Sequence, residues 1–320
     1  MKNLVRGSCL FIISFLFVGA VAWAAPAGAG DRPAAPGLSF LFDKDAFAIP
    51  GVQAGPAGSG KISKLSLRLY GGYNYTSTAD VSDGVSYFFD LVESYDAEGL
   101  GTATGGYNPL HSGFNLGADL IYQLTPSIGV GVGAGYLRSS ASSAGTFTQD
   151  PLSTDLTSRT MVSAIPIRLG VFFTFPLSPK IDLVANAGAA YYAGLKMDAS
   201  FGLVDISGGF LDMTYNASQR DSTDIGFHGS LGVEYRFSPT MGFFIEALGR
   251  YAKLNNFETA TQVYEDEFGS ETIEGTLYLY TTGTASMFAV SSTPPSGGTY
   301  REPKFDLSGF SLQAGIRVRF

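Results

Sequence analysis

The chain has 320 residues, of which 15 % are charged and 13 % are aromatic, and it contains 41 glycines and one cysteine. Abundant glycine, tyrosine and phenylalanine with few lysines and glutamates favour strands over helices. The lone thiol, Cys9, excludes a disulfide framework and a cysteine zinc site. The formal net charge of -8 argues against a nucleic-acid partner. The composition therefore predicts an exported, all-β protein.

The first 24 residues have the pattern of a secretory signal peptide. Lys2 and Arg6 precede an apolar stretch, and Ala22 and Ala24 are small residues at the expected cleavage site. A permanent membrane helix is the alternative. The stretch is short and no basic cluster follows it, which favours cleavage. We expect residues 1–24 to be removed.

Residues 25–60 are rich in Ala, Pro and Gly, which predicts a flexible N-terminal segment. Residues 38–47 are its most apolar part, and the alternative is a short plug or strap that packs against the remainder of the protein.

Residues 61–320 contain eight segments in which apolar side chains alternate with small or polar ones, as expected for strands with two different faces. The last segment has Phe310, Leu312 and Ile316 on one face, with Gln313 and Arg317 on the other. The eight segments are residues 65–75, 114–122, 128–136, 164–175, 181–192, 225–237, 243–251 and 307–320.

The connections between these segments alternate strictly between short and long. The short ones are residues 125–127, 176–180 and 238–240, and the long ones are residues 76–110, 139–158, 197–223 and 254–306. Outward aromatic residues also group near both strand ends, which is typical of a barrel inserted into a membrane from one side. We predict a closed eight-stranded antiparallel transmembrane barrel with short periplasmic turns and long external loops. The pair of segments at 271–280 and 284–292 is interpreted as an external hairpin, with a ten-stranded barrel as the alternative.

With these features, residues 61–320 resemble the OmpA/OmpX-type family of small bacterial outer-membrane barrels. The final strand, GFSLQAGIRVRF, ends in Phe320, and the resemblance implies that the barrel-insertion machinery reads this terminal aromatic residue. It also implies a bacterial outer-membrane location, periplasmic short turns, a periplasmic segment 25–60, and contact with outer-membrane lipid and lipopolysaccharide. No peptidoglycan-binding domain follows the barrel, so no cell-wall tether is expected.

The inward faces of the predicted strands carry both acids and bases, which should form paired networks because an unpaired buried charge is costly. Candidate lumen or gate residues are Arg68, Asp119, Arg168, Glu246, Arg250 and Arg317. We expect Arg68 to lie near Asp119, and Glu246 near Arg317. The interior is then either a salt-bridged core without transport or a narrow pore, which the glycines at 129, 131, 133 and 135 would favour by leaving space.

His228 and Ser230, with Glu234 and Glu246, are the residue types of a Ser/His/acid site. Some small outer-membrane barrels are lipid A deacylases, but such an enzyme presents its His-x-Ser pair toward lipid. Here the alternation points His228 inward, opposite Arg250. We therefore expect no catalysis, no cofactor and no metal site.

The long connections are acidic, which predicts a solvated surface or, as a functional alternative, divalent-cation bridging to lipopolysaccharide. Tyr87, Phe88 and Phe89 would form either an adhesive patch or a contact between loops. The leading hypothesis is a structural or surface-interaction role with no chemistry and an unidentified external partner. The alternatives are a passive pore for ions or small solutes and, third, a lipid A-modifying enzyme.

Overall fold

The computed structural model describes residues 64–205, 209–218, 225–254, 259–282, 285–294 and 299–320. The predicted signal peptide (1–24) and N-terminal segment (25–60) lie outside the described residues. Within the described ranges, no helix has the length and apolar content needed to cross a membrane.

The described residues form one helix and sixteen strands. In chain order these are β1 (Leu65–Thr76), α1 (Ala79–Ala97), β2 (Thr102–Gly106), β3 (Ser112–Gln123), β4 (Ile128–Gln149), β5 (Leu152–Ser178), β6 (Ile181–Asp205), β7 (Phe210–Ser218), β8 (Ile225–Arg236), β9 (Met241–Tyr251), β10 (Lys253–Leu254), β11 (Thr259–Asp266), β12 (Gly269–Thr282), β13 (Ala285–Ser291), β14 (Thr299–Arg301), β15 (Phe305–Asp306) and β16 (Gly309–Arg319).

A circuit of antiparallel pairings connects eight of these strands. It runs from β1 through β3, β4, β5, β6, β8, β9 and β16, and β16 pairs again with β1. We call these eight strands the ring. The three short turns connect β3 to β4, β5 to β6 and β8 to β9, and we call this edge of the ring the turn end. The predicted all-β antiparallel class is confirmed.

The two faces of the ring differ as the alternation predicts. On β1, Ser66, Arg68 and Asn74 are at most 4 % exposed, whereas Leu69 and Tyr73 are about half exposed. Successive side chains of a strand point to opposite faces, so one residue in two faces the interior. The interior face is polar and buried, and the outer face is apolar and exposed.

The long connections were wrongly predicted as loops. Residues 76–110 contain α1 and β2, residues 139–158 are the outer halves of β4 and β5, residues 197–223 contain the end of β6 and all of β7, and residues 254–306 contain β10 to β15. The main sheet therefore has fourteen strands, more than the eight predicted. They were interpreted as loops because they lie between the alternating segments, but the backbone continues the sheet there, since β4, β5 and β6 pair with each other far beyond the ring.

These added elements build a second, apolar core at the edge opposite the turns. We call α1, β2, β7, β10 to β15 and the outer halves of β4 to β6 the cap. The ring of Phe88 stacks on Phe201 at 4.1 Å, and Phe89 and Phe288 are almost completely buried. The sequence allowed either an adhesive patch or a contact between connections, and in the structure Phe88 and Phe89 make the contact.

The predicted hairpin of residues 271–280 and 284–292 forms as β12 and β13. Among the described residues, backbone pairing connects it to the ring through β11, which pairs with β7, and then through β7, which pairs with β6. The hairpin is therefore part of the cap and does not enter the circuit of pairings.

Candidate functional site

The centre of the ring is occupied by a buried network around Arg68 of β1. One of its nitrogens lies 2.7 Å from Glu246 Oε2 and the other 3.8 Å from Asp119 Oδ2. Arg168 NH2 donates to Asp119 Oδ1 at 2.7 Å. The guanidinium of Arg68 also lies 3.9 Å from the centroid of the Phe244 ring, as in a cation–π contact. The predicted proximity of Arg68 and Asp119 is confirmed.

Polar side chains extend this network across the interior. Ser230 Oγ donates to Glu246 Oε2 at 3.1 Å, and Gln313 Nε2 donates to the other oxygen of the same carboxylate. Asn115 Nδ2 donates to Gln313 Oε1 at 2.7 Å. These residues come from β3, β8, β9 and β16, so the ring places their side chains at one level. The network links strands that are far apart in the circuit.

A second network lies nearer the turn end. Glu234 accepts from Arg317 at 3.3 Å and also from Arg319. The prediction that Arg317 lies near Glu246 was wrong. On the β9–β16 pair Glu246 is opposite Gln313, whereas Arg317 is opposite Gly242, and a separation of four residues along a strand is about 13 Å.

Arg250 is buried at the cap side of the interior, and it donates hydrogen bonds to neutral acceptors. Its guanidinium donates to the carbonyl oxygens of Leu307 and Tyr75 and to the hydroxyl oxygens of Ser311 and Thr76. No carboxylate among the described residues forms an ion pair with it. Arg250 thereby ties the ends of β1 and β16 together.

His228 and Ser230 do not form a catalytic pair. His228 is opposite Arg250 on the β8–β9 pair, as predicted. Nδ1 of His228 is buried and has no hydrogen-bond partner among the described residues, while Ser230 is bonded to Glu246 and Asn186. A nucleophilic serine needs a base within hydrogen-bond distance, and His228 does not supply one.

A cavity of about 30 Å³ lies in the interior, lined among others by Tyr70, Asn115, Arg168, His228 and Arg250. Such a volume holds about two water molecules. The glycine row of β4 leaves less open space than its residues suggested, because neighbours fill it. A side chain at Gly131 would meet Phe172, and one at Gly133 would meet Asp119.

The cap places a cluster of buried apolar side chains, which sequence reasoning missed, at the cap-side ends of the ring strands. Leu110, Ala252, Leu254, Phe305 and Leu307 are all at most 1 % exposed, and they follow or precede the cap-side ends of ring strands. The available signal was the helical spacing of the apolar residues of α1, namely Val81, Val85, Phe88, Phe89 and Val92. Across the described residues, no group of His, Asp and Glu side chains has the arrangement to hold a metal ion.

Phe320 ends the chain beside the first strand of the ring. Its backbone N–H donates to the carbonyl oxygen of Leu65 at 2.8 Å, and its side chain is 65 % exposed. The phenyl group of Phe320 therefore does not point into the interior.

Comparison with known proteins gives one match to a protein family. The model of the family described as outer membrane protein beta-barrel domain matches residues 46–269, which is more than half of the 320-residue chain. A search of curated proteins found no match.

Several solved structures are similar over most of the chain. The outer membrane protein OprG of Pseudomonas aeruginosa is 12 % identical, with a TM-score of 0.35, and 81 % of this chain and 96 % of that chain are covered. A major outer membrane protein of Thermus thermophilus is 14 % identical, with a TM-score of 0.33 and coverage of 80 % and 99 %. The outer membrane protease OmpT of Escherichia coli is 10 % identical, with a TM-score of 0.31 and coverage of 81 % and 98 %.

Proposed function

The chain belongs to the outer membrane protein beta-barrel domain family and lies in the bacterial outer membrane, and from this premise we propose that its role there is structural or surface-interacting, without catalysis. In this proposal the ring is a closed eight-stranded transmembrane barrel. The turn end and residues 25–60 face the periplasm, and the cap faces the exterior.

The outer face of the ring supports this orientation. Leu69, Leu116, Val132, Leu169 and Ile245 are 50 to 67 % exposed to the surroundings, which suits lipid and not water. Aromatic residues flank this apolar band on both sides, with Tyr122, Tyr235 and Phe243 toward the turn end and Tyr73, Tyr136 and Phe227 toward the cap.

The proposal rests on the observation that two successive layers of side chains fill the interior. Ion-paired side chains occupy the ring, and the apolar core of the cap lies above them. A continuous aqueous path would have to break charge pairs and also open a dry core, and both changes are costly. The surface available for function is therefore the exterior of the cap and of the upper ring.

A narrow pore is the second candidate, and the interior cavity is the observation that favours it. Arg68, Asp119, Arg168, Glu246, Arg250 and Arg317 are then the lumen or gate residues. Opening would require the Arg68–Glu246 pair, at 2.7 Å, to separate.

Single-channel recording separates these two functions. The mature protein would be refolded into planar bilayers, with a boil-dependent gel shift as the control for barrel formation. We expect no current steps under a salt gradient, because the cap and the ion pairs both block the interior. Discrete steps with a reversal potential, altered in Glu246→Ala, would instead establish the pore.

The remaining roles follow from the same proposal. Phe320 is the residue that the insertion machinery reads, and outer-membrane lipid and lipopolysaccharide surround the barrel. Ser230 is hydrogen-bonded to Glu246 and lies inward, away from lipid, so Ser230 is not accessible as the nucleophile of a lipid A-modifying activity. Nucleic acid is not a partner, and the partner of the external surface is not identified.

A further inference from the structure

Three cationic side chains point outward from neighbouring strands, at the level where the ring meets the cap. They are Arg138 of β4, Arg159 of β5 and Lys196 of β6. Each lies between two buried neighbours in its strand, which places it on the outer face. The ion pairs of the described residues include none of them.

The strand register brings two of these charges to one height. Arg138 of β4 and Lys196 of β6 are both opposite Ser163 of the intervening strand β5. Two residues that lie two strands apart have Cα atoms separated by about 10 Å. Long side chains starting from these positions can therefore reach a single anionic group placed over Ser163.

A bulge in β6 is what turns Lys196 outward. Before the bulge, inward positions such as Ala190 and Tyr192 have even numbers, and after it, inward positions such as Leu195 and Met197 have odd numbers. The extra residue lies between Ala193 and Lys196, where Gly194 has a φ of +58° that favours glycine. Bulges re-aim side chains; without this one, Lys196 would point into the core of the cap.

The residues opposite the three cationic side chains are serines and, for Arg138, also Phe114, and none of them is an acid. Arg159 is opposite Ser142 and Ser200, and Lys196 is opposite Ser163 and Ser218. The nearest acid on this face of β6 is Asp198, two residues beyond Lys196. The three cations and Asp198 together carry two positive charges in excess, in a chain whose formal net charge is -8.

The height of this patch matches the headgroup region of the proposed barrel. Tyr136 lies two residues before Arg138 on the same outer face, in the cap-side aromatic band. Below it the outer face of β4 is Ala134, Val132 and Val130. Aromatic belts lie at the level of lipid headgroups, so the cations just above Tyr136 are at the level of lipid phosphates.

We propose that Arg138 and Lys196 bind a phosphate group of the lipid A headgroup in the outer leaflet, with Arg159 above them adding to the positive potential. The inference rests on the proposed transmembrane ring with the cap outside. Phosphate accepts charge-assisted hydrogen bonds from both arginine and lysine. The occupant is a lipid, because the patch directly adjoins the apolar band where the acyl chains lie.

Native mass spectrometry of the detergent-solubilised, folded protein tests the site with purified bisphosphorylated lipid A as the probe. We expect the double variant Arg138→Gln with Lys196→Gln to bind lipid A about tenfold more weakly than the natural sequence, since each cation contributes to attraction by an anionic lipid surface. The matched control, Lys64→Gln with Lys180→Gln at the turn end, removes the same charge and should bind as the natural sequence does. Arg138→Lys keeps the charge and should retain most of the binding.

A second measurement in the same experiment uses enzymatically dephosphorylated lipid A as the probe. The natural sequence should bind it about as weakly as the double variant binds intact lipid A. Equal binding of the two lipids, unchanged binding by the double variant, or an equal loss in the turn-end control would each overturn the proposal. A boil-dependent gel shift is measured on every variant, so failure of the barrel itself is recognised separately from failure of the lipid site.

Discussion

At the scale of single residues, the interior depends on a few buried charges that satisfy one another. Arg68 is shared between two carboxylates, and Glu246 is shared between Arg68, Ser230 and Gln313. Removing one partner from a buried pair leaves the other without compensation, which is more destabilising than removing both. The stability of the ring should therefore depend strongly on which combination of residues is changed.

A double-mutant cycle on Arg68 and Glu246 tests this dependence. We expect Arg68→Met alone to lower the free energy of unfolding by about 3 kcal/mol, because Glu246 stays charged and buried. Adding Glu246→Gln should recover part of the loss. Urea titration monitored by the gel shift measures each variant, and losses that simply add would show that the pair is not coupled.

At the scale of elements, polar contacts at the first turn of α1, which we call the clamp, hold this helix to the rest of the cap. The Asp80 carboxylate accepts from the Arg301 guanidinium and, at 2.7 Å, from the backbone N–H of Lys304. Burial by itself raises the pKa of Asp80, but these two donors outweigh it and hold the pKa below the ordinary value of 3.8. The clamp thus joins the start of the helix to β14 and to the segment before β15.

Because the pKa of Asp80 is lowered by folding, its contribution to stability is complete above the ordinary value and is lost as the pH falls through the lower, folded value. We expect pepsin to cleave the cap faster as the pH falls below about 4, with the ring still intact by gel shift. In Asp80→Asn the side chain at position 80 is uncharged at every pH. Pepsin should therefore cleave the cap of this variant faster already at the highest pH tested, and the rate should change less with pH. An identical pH profile in both proteins would mean that Asp80 does not hold the helix.

The strands of the ring could be predicted from the sequence, whereas the elements of the cap could not. The ring strands were predictable because an apolar outer face and a polar interior impose alternation on every residue, as on β16. The cap was missed because its strands carry Ser and Thr on the outer face, which resembles loop composition. Gly84 lies in the middle of α1, where glycine is unfavourable for a helix, yet glycine is needed there, because a side chain would meet the buried ring of Phe288 within 2.7 Å.

The interior could be predicted only in part, for a related reason. Alternation identifies Arg68, Asp119 and Glu246 as inward residues, but pairing also requires the stagger between strands. Arg317 was assigned to Glu246 although the register places it opposite Gly242. No short turn joins β9 to β16, since β10 to β15 lie between them in the chain, so the sequence pattern alone does not fix their offset.

At the scale of the whole molecule, the proposed orientation places the two halves of one strand in different surroundings, water and lipid. Strand β5 runs from the cap into the apolar band, so its outer face changes from Thr157, opposite Ala144 and Gly202, to Leu169, opposite Val132 and Ala189. Both side chains are exposed. An arginine at each position should therefore have opposite consequences, although the strand and the face are the same.

Leu169→Arg should impair insertion, because an arginine facing lipid at the middle of the band costs about 2 to 4 kcal/mol. Thr157→Arg places the same charge twelve residues away on the same strand, outside the band, and should insert like the natural sequence. The fraction of refolded protein that gives the gel shift in vesicles measures both. Equal insertion of the two variants would mean that the apolar outer face is not the membrane-spanning surface, and the orientation on which the lipid site depends would fail with it.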